Sequence, residues 1–366
     1  MRLPAVGGAP ESERGRCLWS RSELESALRG AGLGEWASRL AESARPCVIM
    51  VPGPLEGGAD APLGASRLGG NPDLPPDVDW PSRPAFEPAW EGPLTAPMPG
   101  RIILGRRHWL HRLLRTREWK EASRQWERSR QIERDVHSRE WPLSFVAQID
   151  FSEVHAACPL DGFPATGRLL FFCDAHDWPW GEREDQARVR ALFLERPADA
   201  LERRPPPREL QGSEAAQSRA RGVFGARMLR PTPWLLPPSP PSREMLRLRA
   251  EAPAAWAPSK PAFSAYQQFW ASLYAEHPDV FGAPGEMIHQ VGGTASAIEE
   301  PVEAECARLA GDPPETAAQW QLILQIDSDT EAGMEWGDAG RLYVCARRDD
   351  LVARRFDRCW TVMQCH

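Results

Sequence analysis

An internal echo constrains the fold of this chain more than any other feature. Around Gln148 it reads Phe145-Val146-Ala147-Gln148-Ile149-Asp150, then Gly167-Arg168-Leu169-Leu170-Phe171-Phe172-Cys173. Around Gln325 it reads Leu322-Ile323-Leu324-Gln325-Ile326-Asp327, then Gly340-Arg341-Leu342-Tyr343-Val344-Cys345. Each copy is a short apolar run ending in Gln-Ile-Asp, a loop, and a Gly-Arg-Leu run ending in Cys. Runs of this length and β-branched content read as strands. A Gly-Gly pair precedes each copy, Gly69-Gly70 and Gly292-Gly293. The first pair lies 79 residues ahead of its glutamine and the second only 33, an excess of 46. Two related β-rich halves, the first carrying an insertion, account for this spacing.

The insertion has its own character. Between Gly105 and Pro142 there is neither glycine nor proline, and Trp109, Leu110, Leu113, Leu114, Trp119, Trp126, Ile132 and Val136 form an amphipathic helical stripe. The helical insertion is therefore placed at about 90–140. Residues 1–45 are expected to be an N-terminal helical region, with Leu24, Leu28, Leu33, Trp36 and Leu40 at helical spacing and glycines splitting the middle. Residues 46–366 form the main domain, opening on a strand at Cys47–Val51. Of the 37 prolines, 26 fall in 46–99 and 197–261. That density predicts short or edge strands in the first stretch and Pro-rich surface loops in the second, about 197–261. The expected class is α+β: largely antiparallel sheets in two pseudo-repeated halves, with short N-terminal helices and an inserted amphipathic helix.

Composition excludes several roles. No run of 18 apolar residues exists, so no membrane span is expected. The net charge of −7 argues against nucleic acid as a partner. Arginine outnumbers lysine 42 to 2, a skew that GC-rich coding produces unaided. The eight cysteines show no CxxC pair, and the N-terminus lacks an apolar export segment, so reduced thiols in a cytoplasmic protein are expected.

Five blocks in order, SRLGGNPDLPPDVDWP (66–81), PLSFVAQIDFSEV (142–154), GRLLFFCD (167–174), HQVGGTASAIEE (289–300) and WQLILQIDSDTEAGMEWGDAGRLYVCARRDDL (320–351), resemble the YwqG-like family of bacterial domains of unknown function. The resemblance implies an α+β fold with extended sheets and brings no reaction with it. It also implies an association with bacterial toxin–immunity neighbourhoods. The insertion and the second Pro-rich stretch depart from the family's usual pattern.

Candidate chemistry is sparse. There is no G-x-S-x-G, P-loop, G-x-G-x-x-G or H-E-x-x-H motif. Asp327, Asp329, Glu331, Glu335 and Asp338 alternate as in a calcium loop, but Ala332 stands where the sharp turn needs glycine. A β-turn with Trp336 packed on the sheet is the simpler reading. His155, Cys158, Cys173 and His176 offer two imidazoles and two thiols to zinc, against a reading as buried cysteines and loop histidines. The basic excess of residues 101–140 offers a nucleic-acid surface, against ordinary helix salt bridges with interleaved glutamates. Gln148, Asp150, Gln325 and Asp327, with Asp329, Trp336 and Asp338, are the candidate cleft or binding residues. The aspartates there either form an acid/base pair or cap turns. The leading expectation is a non-catalytic protein-binding module with an immunity or regulatory role, no cofactor, and another protein as partner. The alternative is a small-molecule-binding or metal-dependent enzyme, using zinc or calcium, with its cleft between the halves.

Overall fold

The computed structural model describes residues 20–54, 61–86, 117–175, 178–211, 222–281 and 287–366. Its centre is a ten-stranded sheet in which every neighbour is antiparallel, ordered β14-β13-β12-β11-β1-β10-β2-β6-β7-β8. The strands are β1 (Arg45–Gly53), β2 (Arg67–Leu68), β6 (Ser144–Asp150), β7 (Arg168–Cys173), β8 (Val189–Leu194), β10 (Arg227–Leu236), β11 (Gln290–Val291), β12 (Trp320–Asp327), β13 (Arg341–Arg347) and β14 (Trp360–Gln364). Two small ribbons flank it, β3 (Asp73–Leu74) with β9 (Glu202–Arg203), and β4 (Ser82–Arg83) with β5 (Trp141–Pro142). An α+β fold with antiparallel sheets is thus what the chain adopts.

The central pair corrects the expectation drawn from proline. β1 and β10 pair along nine residues, from Arg45 opposite Leu236 to Gly53 opposite Met228. Yet they carry Pro46, Pro52, Pro231 and Pro233. Backbone parity explains this. Leu229 sends its N–H away from β1, to Ser66 O, and Met50 sends its own away from β10, to His289 O. In a strand, residues two apart point their N–H the same way. Pro231 and Pro233 share Leu229's parity, and Pro46 and Pro52 share Met50's, so no β1–β10 ladder donor is missing. On the outer sides β2 and β11 are only two residues long and need no donor there. The stretch 197–261 is likewise not all surface loop. Besides β10 it holds helices, and Pro237, Pro238 and Ser239 are buried, with Pro238 O accepting from Tyr266 Oη and Trp270 Nε1.

Helices cover the outside. α1 (Arg21–Gly30) starts in a capping box between Ser20 and Glu23, and α2 (Ala37–Ser43) follows. α3 (Arg117–His137) is the described part of the insertion; residues 87–116, with Trp109, and the side chains of Trp119 and Trp126 lie outside the described residues. α4 (Phe151–Ala157), α5 (Arg243–Glu251), α6 (Pro253–Trp256), α7 (Pro261–Glu276), α8 (Pro278–Phe281), α9 (Val302–Ala310) and α10 (Arg348–Val352) complete the set. Phe263, Tyr266, Phe269, Trp270 and Leu273 form the buried stripe of α7, which packs with α1, α2, β1 and β10 in one core cluster. The N-terminal helices are therefore part of the same body. A second cluster joins β6, β7 and β2 to β12, β13 and Met363, so the sheet curls around a shared interior. Near its two ends, Phe193 of β8 stacks on Phe356 in the turn just before β14, ring centroids 4.7 Å apart.

Candidate functional site

Gln148 lies at 0% exposure beside β2, opposite Arg67 in the ladder. Its Nε2 donates to Ala65 O (3.0 Å), and its Oε1 accepts from Asp73 N–H (3.1 Å), so one carboxamide pins the turn made by Gly69 and Gly70. A Cβ at Gly69, φ +51°, would sit 2.3 Å from Gly225 O, which is why glycine is required there. Asp73 is the charged centre of this node. Its carboxylate meets Arg67 at 2.8 Å, Arg203 at 2.9 Å and Gly64 N–H at 2.7 Å. Burial alone pushes this carboxyl up, but the hydrogen bonds of the two arginines, the Arg67 charge and the Gly64 N–H outweigh it and hold it at about 2. Asp150 caps α4 through Ser152 N–H, pairs with Arg168 at 3.1 Å, and donates its own N–H to Ser66 Oγ.

The second node repeats these contacts in different chemistry. Gln325 Nε2 donates to Ile288 O, and its Oε1 accepts from Ser296 N–H, both at 2.9 Å. Gln290 stands opposite Gln325 as Arg67 stands opposite Gln148. Arg67 Nη2 donates to Asn71 O, one residue past Gly70, and Gln290 Nε2 donates to Thr294 O, one past Gly293. Asp327 pairs with Arg341 at 2.6 Å, and its N–H goes to His289 Nδ1 at 3.2 Å. Each ladder has its irregularity two residues before the glutamine, at Val146 between Phe145 and Ala147 and at Ile323 between Leu322 and Leu324. The ion pair Arg67–Asp73 of the first node is matched by neutral Gln290 and Ser296 in the second.

The two nodes sit on β6 and β12, with β2, β10, β1 and β11 between them. Among the described residues they share no hydrogen-bond partner. The structure therefore brings Gln148 to Asp73, Gln325 to Ser296 and Asp327 to His289, but does not bring the two glutamine–aspartate pairs together.

The loop after β12 is a tight turn closed by a bridge between Asp329 and Met334. Asp329 accepts from Glu331 and Ala332 N–H and takes both oxygens to Arg227 Nη1, at 2.9 and 2.8 Å. His289 Nδ1 is an acceptor, so Nε2 carries the hydrogen, and it faces Asp329 Oδ2 at 3.7 Å. Burial would raise the Asp329 carboxyl, but His289, Ala332 N–H and Arg227 outweigh it and hold it at about 2. Trp336 is buried at 1%, edge-on to Phe224, with Nε1 donating to Asp327 O. Asp338 is exposed. Arginine and backbone donors thus hold Asp327 and Asp329.

Of the zinc candidates, His155 is exposed, Cys158 and Cys173 are buried in the interior core, and His176 lies outside the described residues. Burial and the Asp174 charge push the Cys173 thiol well up. Among the described residues no three His, Cys, Asp or Glu groups converge as metal ligands.

The sequence reading missed a recess of about 280 Å³ between β4 and the turn Glu184–Arg188. Arg83, fully buried, pairs with Asp174 at 2.6 Å. Its guanidinium and that of Arg188 both lie over the Phe86 ring, at 4.7 and 3.9 Å. Glu182 and Glu184 stand exposed at the rim, and Trp180 nearby in sequence is 49% exposed. The DWP tripeptide before β4 signals a turn in sequence, but nothing there pairs Arg83 with Asp174, 91 residues on.

Compared with known families, residues 66–365 match the family model described as a domain of unknown function, DUF1963. No curated protein matches the chain. The match begins after β1, although β1 lies in the middle of the sheet. Among the described residues no helix is long and apolar enough to cross a membrane.

Proposed function

The chain belongs to the DUF1963 family, and from that premise we propose that it is a non-catalytic protein-binding module of YwqG-like type. One observation carries this reading: the polar residues of the two Gln-Ile-Asp motifs, with Asp329, are consumed in internal bonds. Gln148 and Gln325 each hold one turn, and Asp150, Asp327 and Asp329 each face an arginine. A group that serves as an acid, base or nucleophile has to reach a substrate. The features turned outward are of another kind, a recess lined by Phe86, an exposed tryptophan two residues before its rim residue Glu182, and the charged face of α3, which suit partner contacts.

The matched contacts of the two nodes support the further reading that the domain consists of two pseudo-repeated halves related about the β1–β10 pair. A cytoplasmic setting in a bacterium, with an immunity or regulatory role, is the reading that fits the YwqG-like resemblance. Co-expression with the products of neighbouring genes, followed by pull-down of the full chain and of Trp180→Ala, tests the proposal. A partner retained by the parent chain and released by the variant supports it. No retained neighbour, together with a small molecule or divalent metal that raises Tm, overturns it in favour of a ligand-dependent activity.

A further inference from the structure

The ten-stranded sheet ends at β8 and β14, and among the described residues no backbone ladder joins the two. An end strand carries outward N–H and C=O groups that other chains can pair with. β14 hides one such pair. Thr361 N–H donates to Gln186 Oε1 at 3.0 Å, and Gln186 Nε2 donates to Thr361 O at 3.1 Å. A side-chain carboxamide so supplies the donor and acceptor that a neighbouring strand would offer.

The segment carrying Gln186 is folded on its own terms. Asp185 Oδ2 accepts from Gly181 and Glu182 N–H at 3.0 and 3.2 Å, and its other oxygen faces Arg188 at 3.3 Å. The turn Gly181–Arg188 is thereby bound into one unit by bonds that do not involve β14. Among the described residues its ties to the far edge include the Gln186 pair, Trp360 Nε1 donating to Gly181 O at 2.9 Å, and Arg183 donating to Ala310 O at 3.1 Å. Gly181, at φ +109°, lets the turn's backbone approach Val362, which a Cβ there would meet at 2.7 Å. Few polar ties and no ladder are the marks of a region that opens locally.

We propose that Gly181–Arg188 is a latch that masks the β14 edge and opens as a unit, without unfolding of the sheet, to bare the N–H and C=O of Thr361. The opening itself does not depend on the protein-binding reading. Amide hydrogen exchange of the full chain across low urea concentrations tests it. Local opening exposes little surface, so Thr361 exchange is expected to stay flat with urea while the β12 and β13 amides accelerate steeply. In Gln186→Met, which keeps length and loses both bonds to Thr361 together with the longer contacts of Nε2 to Gly181 O and Glu182 O, exchange through the same opening is expected to rise about thirtyfold at Thr361. The Gly181 and Glu182 amides keep their protection in that variant, because Asp185 still holds them. A Thr361 urea slope equal to that of β12 in the parent chain overturns the proposal. So does loss of Gly181 and Glu182 protection in step with Thr361, which would mean that the turn melts instead of swinging.

Discussion

Converting the charged node into the composition of the neutral one separates geometry from charge. Arg67 and Asp73 are 2% and 0% exposed and meet at 2.8 Å, while Gln290 and Ser296 hold the corresponding places in the other node. Asp73→Ser alone leaves Arg67 buried without its carboxylate and takes an acceptor from Gly64 N–H. Removing one partner of a buried ion pair costs about 3–5 kcal/mol. Arg67→Gln alone is expected to cost less, about 2–3 kcal/mol, because Arg203 still faces Asp73. The double variant removes both charges and keeps a carboxamide and a hydroxyl, the pair that the second node tolerates. Arg203, 17% exposed and also bonded to Pro62 O, then loses its carboxylate partner at a site that water reaches. Its expected cost is about 1–2 kcal/mol, smaller than that of Asp73→Ser alone. Urea unfolding of the four proteins at neutral pH reads the coupling directly, and it should exceed about 2 kcal/mol. Additive losses, to within about 0.5 kcal/mol, would refute the claim that one geometry is served by two chemistries.

Three further outcomes follow from the same contacts. Asp73 and Asp329 are both held at about 2 against an ordinary 3.8, so each contributes stability that is present above the unfolded value and lost as pH falls through about 2. The urea midpoint should fall between pH 4 and 2, each carboxylate accounting for about 2 kcal/mol, and a midpoint unchanged over that window would contradict the assignment. Glu305 has the opposite sign: burial lifts it from 4.5 to about 7, so the stability it contributes is present below 4.5 and lost as pH rises through about 7. Glu305→Gln should flatten that decline and leave the variant about 2–3 kcal/mol more stable than the parent at pH 8, read from urea midpoints. In β10, Thr232→Pro deletes a donor aimed at β1 and should cost about 3 kcal/mol or more, whereas Pro233→Ala, one residue on, should change stability by less than about 1 kcal/mol. Equal thermal shifts for the two would refute the parity argument.

Much of the sheet was legible because strands announce themselves locally. The runs at Gln148 and Gln325 are β6 and β12, the Gly-Arg-Leu runs are β7 and β13, and the glycine pairs are turns. Trp336 and the loop beside it also took the expected form, with Asp329 as its capping carboxylate. Proline was misread because its effect depends on which side of a strand its nitrogen faces, and composition carries no parity. Pro231 and Pro233 lie two apart, and that spacing was the available hint. The Asp73 node was missed for another reason. Aligning SRLGG with HQVGG places Arg67 on Gln290 and Ser66 on His289, but identity is lost at both positions, so a search for repeated letters passes over them. Arg203 comes from 130 residues away and leaves no local signal at all.

β1 shows why the boundary of a recurring sequence pattern and that of the folded body differ here. The matched region begins at residue 66, yet β1 ends at Gly53 and supplies one member of the longest ladder in the sheet. Without it, β10 would present to water the N–H and C=O groups of Met228, Arg230, Thr232, Trp234 and Leu236. The α7 stripe and Trp234 would also lose the apolar face on which α1 and α2 pack. Nothing in β1 repeats the Gln-Ile-Asp or Gly-Gly signatures; its demands are only apolar side chains at Val48, Ile49 and Met50 and proline nitrogens of one parity. Many sequences meet such demands. The segment is thus indispensable to the sheet and weakly marked in sequence for one and the same reason: it contributes backbone and burial, and no side-chain hydrogen bond specific to either node.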